Sequence, residues 1–84
     1  MSDEELTALA AKAFGNAQHG FSPLTDDGDA FRLAVSMFRD IRFWYFDNSV
    51  SVGNEQRVVC GDDPCATTRL AIVRAAAEVG RGMP

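Results

Sequence analysis

The stretch Ile41-Arg42-Phe43-Trp44-Tyr45-Phe46-Asp47-Asn48-Ser49-Val50-Ser51-Val52 decides the fold class of this 84-residue chain. Residues 41–46 are too aromatic and too short a run for a helix and read as a first strand. Asp47-Asn48 is a turn pair, and Ser49-Val50-Ser51-Val52 alternates small polar with β-branched residues as a second strand. Gly53-Asn54-Glu55 supplies the next turn, and Gln56-Arg57-Val58-Val59-Cys60 reads as a third strand. Connections this short force neighbouring antiparallel pairing, so the centre of the chain is expected to be a three-stranded meander. Alternate residues of a strand face opposite ways, which sets Ile41, Phe43 and Tyr45 on one side and Arg42, Trp44 and Phe46 on the other. A solvent-facing side normally reads polar, and here both sides carry aromatics. Both faces therefore call for a cover.

Helices flank this sheet in the sequence. Ser2 with Glu5 three residues on has the form of a capping box, and Leu6, Leu9, Ala10, Ala13 and Phe14 follow at helical spacing until Gly15-Asn16. A connection over 16–25 holds His19 and Phe21, with Phe21 expected to anchor it to the core. Thr25 or Asp26 can cap a second helix, whose buried stripe is expected at Phe31, Ala34, Val35 and Phe38, widened by Ala30, Leu33 and Met37. Asp63 as a cap and Pro64 at the first helical position announce a last helix, expected to end at Gly80 and leave 81–84 as a frayed tail. It is apolar around more than half its circumference, and Ala71, Ala75, Ala76 and Ala77 permit close approach to a neighbour. The expected architecture is a single α+β domain over residues 1–84, ordered ααβββα, with three helices and one three-stranded antiparallel sheet.

Composition narrows the function. A length of 84 residues suits one hydrophobic core, and 46% apolar residues argue against disorder. The formal net charge of -4 lacks the basic field of a nucleic-acid binder. No apolar run approaches a membrane span, and the acidic start Met1-Ser2-Asp3-Glu4-Glu5 has no signal-peptide character, which points to the cytoplasm. Thiols stay reduced there, so Cys60 and Cys65 are expected as small, partly buried residues.

The run from Phe21 to Val35, centred on Thr25-Asp26-Asp27-Gly28-Asp29, joined to the late Arg69-Leu70-Ala71-Ile72-Val73-Arg74-Ala75-Ala76-Ala77-Glu78-Val79-Gly80, resembles the phage α-β-α sandwich (ABA) domain, a family of small phage and prophage proteins. The two motifs cover about a third of the chain in the order and spacing that the family shows. The resemblance implies an α-β-α layered sandwich with helices on both faces of the sheet, and it implies no activity.

The constellations that could carry chemistry are sparse. Asp26, Asp27, Gly28 and Asp29 lack the spacing of a calcium loop and read as a helix cap, with one aspartate pairing with Arg69 or Arg74 to lock the second helix to the last. His19, Cys60 and Cys65 lack the close spacing of a zinc site. Cys65, in the first turn of the last helix, is the more reactive thiol, and only His19 could serve as its base. No P-loop, dinucleotide fingerprint or GxSxG elbow occurs. No cofactor is implied. The expectation is a non-enzymatic phage or prophage accessory protein that contacts a protein partner or a second copy of itself through Arg42, Trp44 and Phe46. The alternative is a small metal-binding or hydrolytic protein using Asp26, Asp27 and His19.

Overall fold

The alanine-rich segment from Ala66 to Gly80 builds the helix on which the other elements rest. The structure is a computed structural model that describes residues 2–14, 22–37, 40–44, 46–53 and 55–83, with Phe14 described by its backbone alone. Its elements are α1 (Asp3–Phe14), α2 (Asp27–Met37), β1 (Ile41–Trp44), β2 (Ser49–Val52), β3 (Val58–Val59) and α3 (Pro64–Arg81). The class is α+β in the order ααβββα, with three helices and one antiparallel sheet among the described residues. His19, Phe21, Phe38, Tyr45 and the Gly15-Asn16 helix stop lie outside those residues.

Local signals start the helices where the residue chemistry places them. Ser2 Oγ accepts from the Glu5 N–H at 3.2 Å and caps α1. Asp26 precedes α2 and accepts from the Gly28 N–H at 3.3 Å. Asp63 caps α3 by accepting from the Ala66 N–H at 3.1 Å, with Pro64 in the first turn. Along α3, Ala71, Ile72, Val73, Ala75, Ala76, Ala77 and Gly80 are all buried, so the helix lies deep as its composition requires.

The far end of α3 corrects the sequence reading. The helix continues through Gly80 to Arg81, and Gly82 closes it by donating its N–H to the Glu78 and Val79 carbonyls. Gly80 serves a different purpose. A Cβ at this position would overlap the Leu9 carbonyl, so Gly80 lets the α1 backbone press directly against α3. Ala10 on α1 and Ala76 and Ala77 on α3 are buried in the shared core and keep the crossing close. The tail is also held, because Lys12 Nζ donates to the Met83 carbonyl at 3.2 Å.

The sheet has β2 at its centre, antiparallel to both neighbours. Trp44 pairs with Ser49, 46–48 form a turn, and β1 spans Ile41–Trp44, short of the Phe46 end that its aromatic run suggests. Phe46 is therefore a turn residue, not a strand residue. Asn48 takes a φ of 52° in this turn, and its backbone and side chain bind Cys60 at 2.7 and 3.1 Å, which fixes the turn geometry. β3 is likewise shorter than its apolar run, because pairing reaches only Val58 and Val59.

Val50 and Val52 are buried in the core, and Ile41, Phe43 and Val58 share their face by register. Among the described residues, the helix that approaches the sheet is α3, against β2 and β3, while α1 and α2 rest on α3. The cover expected on the second face is made by side chains instead of a helix. Trp44 Nε1 donates to Ser51 Oγ at 3.2 Å, and the Arg57 guanidinium stacks 4.6 Å from the Trp44 ring centroid. Ser49 and Ser51 are buried with their hydroxyls in hydrogen bonds, so small polar residues line that face without cost.

On α2 the buried residues are Ala30, Leu33, Ala34 and Met37. Phe31 and Val35, expected in the core, are exposed. Two apolar stripes about 100° apart compete on this helix. The stripe that is buried holds Leu33 and Met37 with two alanines, in one core with the buried residues of α3.

Substitution at the two late glycines separates these roles. Alanine normally gains up to about 1 kcal/mol over glycine in a helix. At Gly80 the clash with Leu9 reverses the sign, and Gly80→Ala is expected to destabilise by about 1–3 kcal/mol. Gly82 has a φ of -79° and no atom nearer than 3.7 Å to an added Cβ, so Gly82→Ala stays within about 1 kcal/mol of wild type in urea denaturation.

Candidate functional site

Burying Ala30, Leu33, Ala34 and Met37 leaves Phe31 and Val35 of α2 outside. Phe31 is 69% and Val35 53% exposed. Phe43 lies on the core-facing side of the sheet, yet β1 is an edge strand and Phe43 is also 69% exposed. Phe31 from α2 and Phe43 from β1 line one groove of about 430 Å³, with Ala30, Ala34, Ile41 and Ile72 completing its apolar surface. That volume lies within the range of sites that take a small ligand or a few partner side chains.

One end of the groove is formed by the starts of two helices. Asp27, Pro64, Cys65 and Arg69 lie there, at the N-terminal ends of α2 and α3. Arg69 Nε donates to the Leu24 carbonyl at 2.9 Å and Nη1 pairs with Asp27, which ties the entry of α2 to α3. The hydrogen bond to Asp27 holds the Arg69 guanidinium above its usual pKa, with smaller support from the charge of Asp63. Asp29 accepts from the Ser22 N–H at 2.8 Å and pairs with Arg32. The Ser22 N–H, and then Arg32, hold the Asp29 carboxyl below its usual value.

The Asp26–Asp29 run is thus occupied within the fold: Asp26 caps α2, Asp27 meets Arg69, and Asp29 meets Ser22 and Arg32. Of the two arginines considered for locking the helices, Arg69 makes the contact, while Arg74 is exposed and pairs with no described aspartate. Cys60 is buried and Cys65 exposed, and no three described His, Cys, Asp or Glu side chains gather to hold a metal ion. Arg42 and Trp44 share a face as expected of a strand, but Arg42 pairs with Asp40 and the Trp44 indole is half-buried under Arg57. Phe46 lies in the turn after β1.

The groove residues Phe31 and Phe43 escaped the sequence reading as site residues. The signal was present in α2, where six of the eleven residues from Asp27 to Met37 are apolar, alanine included, and exceed what a helix on one neighbour can bury.

Compared with known family models, with curated proteins and with solved structures, the chain matches none.

The Asp29 contacts carry a pH signature. A carboxyl held below its usual value near 3.8 adds stability that is fully present above that value and is lost as pH falls through the lower folded value. Asp29→Asn is therefore expected to reduce the loss of stability on acidification from neutral pH to about pH 3, read by urea denaturation at each pH.

Proposed function

We propose that this domain is a non-enzymatic binding protein that captures a protein partner in the groove lined by Phe31 and Phe43. The observation that carries this reading is the pair of phenylalanines, each 69% exposed, in one apolar groove. Fully burying such a side chain contributes roughly 1.5–3 kcal/mol, and contiguous apolar patches of this kind mark interaction sites. Aromatic anchors that enter a pocket dominate the energetics of protein contacts.

The reading shifts the contact away from Arg42, Trp44 and Phe46. Trp44 already has its N–H on Ser51 and its face under Arg57, so it has little left to offer a partner. The groove joins apolar surface to side chains already engaged in holding α2 on α3, which suits capture better than catalysis. With the motif resemblance, the role we favour is that of a small phage or prophage accessory protein in the host cytoplasm.

Immobilised protein exposed to lysate of the producing cell tests this. Phe43→Ser is expected to reduce the retained partner about tenfold or more, the scale of losing a central aromatic anchor. Trp44→Ala, checked for native circular dichroism, retains it. Loss with Trp44→Ala and full retention with Phe43→Ser would place the contact on the opposite face and refute the reading.

A further inference from the structure

The charge around the groove narrows the class of partner. The starts of α2 and α3 contribute Asp27, Pro64, Cys65 and Arg69 to the groove lining. The flanking residues are acidic: Asp26 and Asp29 lie beside Asp27 in the chain, and Asp62 and Asp63 precede Pro64. Arg32 and Arg69 answer Asp29 and Asp27. Among the described residues, no further arginine or lysine forms an ion pair with Asp26, Asp62 or Asp63. Asp26, Asp62 and Asp63 are exposed. The positive ends of two helix dipoles offset only about half a charge each. The surface flanking these helix starts therefore keeps a negative field, within a chain whose net charge is -4.

Resting on the groove reading above, we infer that the partner presents a basic amphipathic segment. Its apolar side chains fill the groove between Phe31 and Phe43, and its lysines or arginines lie over Asp26, Asp62 and Asp63. Complementary charge of this kind raises the association rate and selects against acidic competitors. A second copy of the chain fits less well, because it brings the same aspartates beside its own Phe31 and Phe43.

Cys65 supplies a local readout. It lines the groove and is exposed, whereas Cys60 is buried, so alkylation by iodoacetamide reports on the groove. The probes are an amphipathic leucine–lysine peptide and a leucine–glutamate peptide with the same leucine spacing. The leucine–lysine peptide is expected to slow Cys65 alkylation and shift the Phe31 and Phe43 amide resonances, with an affinity that falls as salt is raised. Asp26→Asn combined with Asp62→Asn weakens it by about threefold to tenfold, and asparagine still caps α2. Phe43→Ser abolishes the response.

Equal binding of the leucine–glutamate peptide in the groove would overturn the charge inference and leave the groove reading intact. Failure of both peptides to perturb Phe31, Phe43 and Cys65 would overturn both. Sedimentation equilibrium showing a dimer that Phe43→Ser dissociates would make the occupant a second copy and overturn the basic-segment inference.

Discussion

The backbone contact between Gly80 of α3 and Leu9 of α1 is the constraint on which the arrangement depends. A glycine at this point lets two helices cross at a distance that any Cβ would forbid, and the buried alanines around it extend the close approach. The consequence is energetic as well as geometric. In a chain of 84 residues the core is small, and close packing of backbone on backbone recovers dispersion that larger side chains would otherwise supply. α3 can then serve α1, α2 and the sheet at once, which is why so much of its circumference is buried.

The same economy creates the groove. With α3 shared among three neighbours, α2 turns Ala30, Leu33, Ala34 and Met37 inward, and Phe31 and Val35 lie outside. β1 is an edge strand that no helix among the described residues contacts, and Phe43 stays exposed. The Arg69 contacts with Leu24 and Asp27 hold the entry of α2 and keep the groove open. Structure and candidate site are thus two results of one packing choice.

Elements governed by local chemistry were legible in the sequence. The Ser2, Asp26 and Asp63 caps, the Ser-Val alternation of β2 and the element order all depend on residues near one another in the chain. The aromatic run was less informative about turn length, so β1 ends at Trp44 instead of Phe46, and the alternation of faces holds for Ile41 to Trp44 while Phe46 falls in the turn. The choice between the Ala30/Ala34 and Phe31/Val35 stripes was not legible, since helical periodicity admits both and only the packing decides. Gly80 illustrates the same limit. Near a helix end it reads as a stop, and its role at the crossing needs the Leu9 backbone, seventy-one positions away. The Asp27–Arg69 contact was accessible as one of several pairings, because acids at one helix start and arginines on another narrow the options.

The central claim is that close seating on α3 leaves Phe31 and Phe43 facing solvent while the sheet valines are sealed. Solvent paramagnetic relaxation enhancement, recorded by NMR on the dilute protein with a soluble gadolinium chelate, tests it directly. The account predicts strong enhancement at the Phe31 and Phe43 ring protons and the Val35 methyls, and weak enhancement at the Val50, Val52 and Val73 methyls. Phe31 and Phe43 rings as protected as Val50 would contradict it.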